Sequence, residues 1–300
     1  MRFSVIIPTY NRPAPLSRCL ESILKQSLKP AEVLIIDDAA LDDQWLSEWR
    51  SRLAADKIDL VYRRKNHDSE RRGSSESRTI ALELAASEIV FIFDDDLILQ
   101  NEYFSHIMDR WQEHETEENL LGIGGVIINN RARSQAEKIF HRFFGLSSSS
   151  IWDINAIGFQ SWDDFIPEVA KGYYVHGGAS SYRREATRRL GFTAFGGGRT
   201  ALEDVDFCWR AKNEAYYFLI EPDAKVFHDH QAGVRESDYL IGYKESYNRR
   251  LIFKNNSRHS GLNRLRFGWA NFGWILRQIL SGHFKKAGGM MAGLMSKLIC

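Results

Sequence analysis

Cysteine is scarce in this chain. Only Cys19, Cys208 and Cys300 occur among 300 residues. They lie far apart and without His or Cys partners at metal-ligand spacing, which argues against a disulfide framework and a zinc site. No apolar run approaches the length of a membrane-spanning helix, and the stretch between Arg2 and Pro8 is too brief for a secretory signal. The cytoplasm is therefore the expected location. Acid is also missing, from one end only. No Asp or Glu follows Glu245, whereas ten of the 40 Lys and Arg do, leaving 30 cations against 39 acids before residue 246. The net charge of +1 thus conceals an acidic body and a basic tail. An acidic body speaks against a nucleic-acid partner. With 44% hydrophobic residues, the chain can fill the core of one large domain or two smaller ones.

In the first half, apolar strand-like runs alternate with helical patterns. Phe3 to Pro8, Glu32 to Asp37, Leu60 to Tyr62 and Ile89 to Phe93 read as strands. Segments around Leu16 to Lys25, Trp45 to Ala54 and Ser77 to Ala86 read as helices. This alternation predicts a mostly parallel sheet flanked by helices, with ligands at the carboxyl ends of the strands. Beyond Leu121 the pattern is mixed. Gly124 to Ile128, Gly177 to Tyr182 and Ala224 to His230 read as strand-like, Phe140 to Tyr174 as irregular and aromatic, and Glu185 to Leu190 and Glu203 to Asn213 as helices.

Three polar clusters fall on the predicted carboxyl edge: Thr9, Tyr10 and Asn11; Asp37 and Asp38; and the run Asp94, Asp95, Asp96. Turn chemistry explains each singly but not their shared address. If the third run continues its strand, Asp94 and Asp96 face one side and Asp95 the other. Two such carboxylates suit Mg2+ or Mn2+ and leave coordination positions for phosphate oxygens. Capping of a following helix is the alternative.

Taken in order, Ser4-Val5-Ile6-Ile7-Pro8-Thr9-Tyr10-Asn11-Arg12, Val33 to Asp38, Asp94 to Asp96, Glu203-Asp204 and His228 resemble the family 2 glycosyltransferases. That family has the GT-A fold, an α/β nucleotide-binding half continuous with a mixed acceptor-binding half. The resemblance implies residues 1–256 as the GT-A domain (1–120 nucleotide-binding, 121–256 acceptor-binding), with 257–300 a basic, amphipathic, helical tail. Two departures stand out: Ala39-Ala40 replaces the usual Gly-Ser, and Gly73 followed by Ser77-Arg78-Thr79 replaces a Gly, Ala-Arg-Asn pattern.

The resemblance also implies roles. Asp96 would bind the metal directly, and His228 would complete the site, with His230 as the fallback and a structural strand histidine as the alternative. Asp94 and Asp95 fall with the donor-nucleotide contacts, Asp94 through water or the ribose. Pro8, Thr9 and Tyr10 would shape the base and ribose pocket, and Asp38 would accept from the nucleobase. Arg78 would hold the diphosphate; otherwise it is a solvated helix-face arginine. Asp204 would be the general base of an inverting displacement with Glu203 beside it, and both acids also suit a helix amino terminus. The donor would be a nucleotide-diphosphate sugar, UDP first, and the acceptor a glycan or lipid-linked glycan of surface-polysaccharide synthesis.

Gly196-Gly197-Gly198 lacks the residues of a phosphate loop and reads as an acceptor-side loop. Trp152, Trp162, Tyr173 and Tyr174 could stack on sugars or fill core. From Phe267 onward, aromatic and aliphatic residues interleave with cations at helical spacing. Peripheral membrane contact or packing on the body would each account for this. Two rivals to a transferase are a sugar nucleotidyltransferase, which would open with a glycine-rich loop, and an inactive glycan-binding scaffold of a polysaccharide assembly complex.

Overall fold

A computed structural model describes residues 1–195, 201–229 and 236–297. The chain opens with β1 (Phe3–Thr9), α1 (Pro13–Leu24), β2 (Glu32–Asp37), α2 (Asp43–Ala55), β3 (Asp59–Arg64), α3 (Ser74–Leu84) and β4 (Ile89–Phe93). These four strands are mutually parallel, in the order β3-β2-β1-β4. Their continuous apolar runs make sense because both faces are covered. Val5, Ile7, Val33, Ile35, Phe91 and Phe93 enter one core, while Ile6, Leu34, Ile36, Val90 and Ile92 enter the other. Helix α1 presents Leu16, Cys19, Leu20 and Ile23 to the first core at helical spacing.

The sheet then continues through elements that local pattern showed only in part. After β5 (Leu97–Leu99), α4 (Tyr103–Glu113) and β6 (Leu120–Ile127), a helix, α5, spans Gln135–Phe144. From Phe140 its aromatic density predicts irregular chain, yet Ser134 and Glu137 form a capping box that starts the helix. A small hairpin, β7 (Asp153–Ile154) with β8 (Gln160–Ser161), precedes β9 (Ala170–Gly172) and β10 (Ala179–Arg183). Then come α6 (Arg184–Leu190), α7 (Glu203–Asn213) and β11 (Tyr217–His228). The last strand begins seven residues before the expected Ala224 and ends at His228. Strand β10 inserts antiparallel between β4 and β6, β11 runs beside β6, and β5 and β9 pair with β11, making a nine-stranded sheet among the described residues.

The carboxy-terminal part holds α8 (Asp238–Asn256), α9 (Gly261–Leu280) and α10 (Phe284–Met295). The packing reading of the tail applies to α10. A Cβ added at Gly289 would lie 1.9 Å from the Tyr239 carbonyl, so α10 meets α8 backbone to backbone. Lys286 also pairs with Glu245 at 2.9 Å. Helix α9 stacks Trp269 on Phe144 at 4.8 Å and Phe267 on Phe253 at 4.3 Å. Along the same stripe as Trp269, Leu265 stays 75% and Phe272 54% exposed. No helix among the described residues is long and apolar enough to cross a membrane.

Candidate active site

The carboxyl ends of β1, β2 and β4 carry the expected polar clusters, but the acids converge for a different reason from the one alternation suggests. Strand β4 stops at Phe93, and Asp94 to Asp96 form a turn closed by the Leu97 amide donating to the Asp94 carbonyl at 3.3 Å. Strand β5 then pairs antiparallel with β11, placing His228 opposite Leu97. Ligand atoms of Asp94, Asp96 and His228 consequently lie within 4.8 Å of one another. Two carboxylates and an imidazole make a donor set suited to Mn2+. His230 lies outside the described residues.

Within the cluster, His228 Nε2 is 3.0 Å from Asp96 Oδ1, and Arg12 Nη2 donates to Asp96 Oδ2 at 2.8 Å. Burial works against ionisation of Asp96, but His228 and Arg12 outweigh it and hold the carboxyl at about 2. For His228, burial disfavours the imidazolium, and the charges of Asp96 and Asp94 more than offset this, raising its pKa. Metal ligation requires neutral imidazole. Mn2+ affinity should therefore weaken as pH falls through the raised pKa of His228, by up to tenfold per pH unit for one displaced proton. Titrations from pH 8 to 6 check this; a slope unchanged in His228→Ala would remove the histidine from the metal site.

Asp95 does not join the triad. It is buried, accepting from Thr9 Oγ1 at 2.7 Å and Arg12 Nη1 at 2.6 Å. Burial leads its shift, raising its pKa to about 6 against the pull of Thr9 and Arg12. Arg12 closes the opening motif, which implies no role for it. It bridges two of the three acids, and the only local hint was its place directly after the strand-end polar run.

Asp37 is fully buried and shapes its loop, accepting from the amides of Ala39 and Leu41 at 2.8 and 2.7 Å and from the Tyr62 hydroxyl at 2.9 Å. Asp38 faces the Gly73 amide at 2.6 Å and Lys65 Nζ at 2.8 Å. Its carboxylate ties the end of β2 to the start of α3. Thr9 is buried against Asp95, Pro8 is half-buried, and Tyr10 is 54% exposed at the rim.

Arg78 is not a solvated helix-face arginine. It is buried between Asp94 Oδ1 at 3.5 Å and Glu203 Oε1 at 3.4 Å, over the Phe192 ring, and its Nε lacks a partner. A buried guanidinium with unused donor capacity beside an acidic cluster is equipped to receive phosphate oxygens. Burial raises the Glu203 pKa, with Arg78 opposing, and Ser74 Oγ donates to that carboxylate at 2.9 Å.

Glu203 and Asp204 open α7, and the Asp204 carboxylate accepts from the buried Tyr174 hydroxyl and from the Val205 amide, each at 2.8 Å. Tyr174 and Trp152 are core residues; Tyr173 and Trp162 keep partial exposure. The site is drawn together by Gly177-Gly178, where the local pattern predicts only a strand-like turn. A Cβ on Gly177 would lie 2.7 Å from Asp204 Cβ, and one on Gly178 2.3 Å from Asp94 Oδ2. Only glycine lets this dipeptide thread between the acids. The expected loop Gly196-Gly197-Gly198 lies outside the described residues.

The profile of Glycosyl transferase family 2 matches residues 4–191. This chain belongs to that family. The fold is shared with solved structures: Staphylococcus aureus TarS 1-349 in complex with UDP-GlcNAc superposes with a TM-score of 0.60 at 17% identity, over 96% of this chain and 79% of that one. The mannosyltransferase PcManGT from Pyrobaculum calidifontis, in complex with GDP-Man and Mn2+, gives 0.58 at 16%, over 98% and 85%. In sequence, the poly(ribitol-phosphate) beta-N-acetylglucosaminyltransferase TarS of S. aureus strain Mu50 is 28% identical over 130 residues, 42% of this chain but 22% of its own length. The family 2 chain thus spans about a fifth of that relative.

Proposed function

We propose that this family 2 protein is a divalent-metal-dependent, inverting glycosyltransferase. It would move a sugar from a nucleotide-diphosphate donor, with UDP the favoured nucleotide, to a glycan or lipid-linked acceptor in cell-surface polysaccharide synthesis. One observation carries the reading: Asp94 of the metal-competent triad and Asp204 flank the same Gly177-Gly178 dipeptide, so a group able to hold a metal and a carboxylate able to take a proton lie side by side. The complexes of the two structural relatives with UDP-GlcNAc and with GDP-Man and Mn2+ support it.

A bound Mn2+ or Mg2+ would compensate charge on the leaving diphosphate. Arg78 would donate to diphosphate oxygens from its buried position beside Asp94, and Arg12 would keep Asp96 ionised and oriented. Tyr10, and Asp38 through its edge position, would border the base and ribose. Tyr174 aims Asp204, which would take the proton of the acceptor hydroxyl as that oxygen bonds to the anomeric carbon and the bond to diphosphate breaks on the opposite face. Glu203 would hold Arg78 on the acceptor side.

Calorimetric titration of UDP, GDP and dTDP, with Mn2+ and with EDTA, tests the reading. Metal-dependent binding of one nucleotide is expected. Absence of binding by folded protein would sink it in favour of the inactive scaffold. Peripheral membrane contact belongs to the same reading, because α9 exposes Leu265 and Phe272 beside Arg264 and Arg266 in an acid-free tail. Wild-type protein should co-sediment with anionic vesicles and the Leu265→Glu, Phe272→Glu variant should not; equal sedimentation would reject the contact.

A further inference from the structure

A second cavity, of about 500 Å³, opens between the start of α5, the serine run Ser147 to Ser150 and the segment Trp162 to Phe165. Arg131, Arg133, Lys138, His141 and Arg142 line it. Arg131 pairs with Glu137, which also takes Arg277 at 3.2 Å. The side chains of Arg133, Lys138 and Arg142 make neither a hydrogen bond nor an ion pair among the described residues, Arg133 resting instead on a ring. Arg133 is half-buried, its guanidinium carbon held 4.6 Å over the Trp162 ring.

The acids nearby are already engaged. Asp164 accepts from the Ile127 amide at 3.0 Å, Asn130 Nδ2 at 2.7 Å and His176 Nε2 at 3.0 Å; Asp163 accepts from the Phe165 amide at 3.0 Å. Behind the cations sits His141, 3% exposed, with neither ring nitrogen partnered among the described residues. Burial and the charges of Arg133 and Arg277 hold its pKa down to about 4, leaving a neutral ring with one N–H to give. A buried unpaired donor is costly until an acceptor reaches it, and an anion drawn in by the unpaired Arg133, Lys138 and Arg142 side chains would supply one.

Both walls of the cavity run into the active site. Asn129 donates to the His228 carbonyl and accepts from its amide, each at 2.9 Å, and the next residue binds Asp164. Asp164 in turn holds His176, directly before Gly177-Gly178. We propose that this cavity binds a phosphate group carried by the acceptor, as monoester, diester or diphosphate, while the acceptor hydroxyl lies at Asp204. The proposal rests on the glycosyltransferase reading for the word acceptor, and on the cavity alone for phosphate. Arg133 supplies the flat, paired donors such a group takes, Lys138 and Arg142 supply charge, and His141 the deep hydrogen bond.

The test uses the whole chain in EDTA, with inorganic pyrophosphate and glycerol 3-phosphate as dissolved probes and phosphatidylcholine vesicles with or without phosphatidate as the lipid arm. Arg133→Gln should weaken binding about tenfold, and Lys138→Gln by a smaller factor, while a labelled His141 ring signal shifts on anion addition in the wild type. Weakening with the dissolved probes shows that the phosphate group suffices. Weakening confined to phosphatidate vesicles assigns a lipid-borne phosphate. Anion binding that is absent in both arms, or indifferent to both substitutions, overturns the proposal. A parallel titration of UDP with Mn2+ should be equal in wild type and Arg133→Gln; its failure in the wild type would count against the transferase reading and leave the anion result legible.

Discussion

Asp96→Ala is expected to abolish metal-dependent nucleotide binding and to lower transfer on the order of 10³-fold, the equivalent of several kcal/mol of charge stabilisation. Asp96 is the acid that both His228 and Arg12 contact, at 3.0 and 2.8 Å, so its removal costs a metal ligand and leaves the His228 ring and the Arg12 guanidinium without their shared carboxylate. Asp95→Ala would act differently, loosening Thr9 and Arg12 at the end of β1 while sparing the ligand triad. Isothermal titration with Mn2+ separates the two. Asp96→Ala protein that kept wild-type Mn2+-dependent UDP affinity would refute the metal assignment.

Asp204→Asn should lower kcat by about 10² to 10⁴, the usual range for loss of a general base, with donor affinity within twofold of wild type. The amide is isosteric: its oxygen can still accept from the Val205 amide and its nitrogen can donate to the Tyr174 hydroxyl oxygen, the two groups now 2.8 Å from the Asp204 carboxylate, so the local fold should survive. What it loses is the capacity to take a proton. Separate measurement of kcat with a transferable acceptor and of UDP affinity checks the split. Retained turnover would transfer the base role elsewhere, and a fall in donor affinity alone would recast Asp204 as a binding residue.

These effects follow from residues that differ in how openly the chain declares them. The strands β1, β2 and β4 were legible because each is a continuous apolar run ending in polar residues, and a parallel sheet buries both faces of such runs. Helix α7 was legible to its first and last residue, since Glu203 and Asp204 stand where a helix amino terminus favours acids. Helix α5 was not, because its aromatic face obscured the periodicity, although Ser134 and Glu137 carried a capping signal. For Arg78 the chain left a diphosphate contact and a solvated helix-face arginine both open; its pairing with Glu203, 125 residues away, is a tertiary fact.

By itself the sequence determined the α/β alternation, the carboxyl-edge address of Thr9, Asp38 and Asp94 to Asp96, and the basic tail, since strand and helix periods and charge are local properties of the chain. Tertiary structure decided the rest. Asp96 meets His228 across 132 residues, and it does so because β5 pairs with β11 and a turn, not strand alternation, aims the acids. Gly177-Gly178 became part of the site only once β10 entered between β4 and β6, and the cationic cavity exists only where α5 folds back beside Trp162. Contacts of this kind are set by pairing between distant strands and helices, and no local period records which partner a strand will choose.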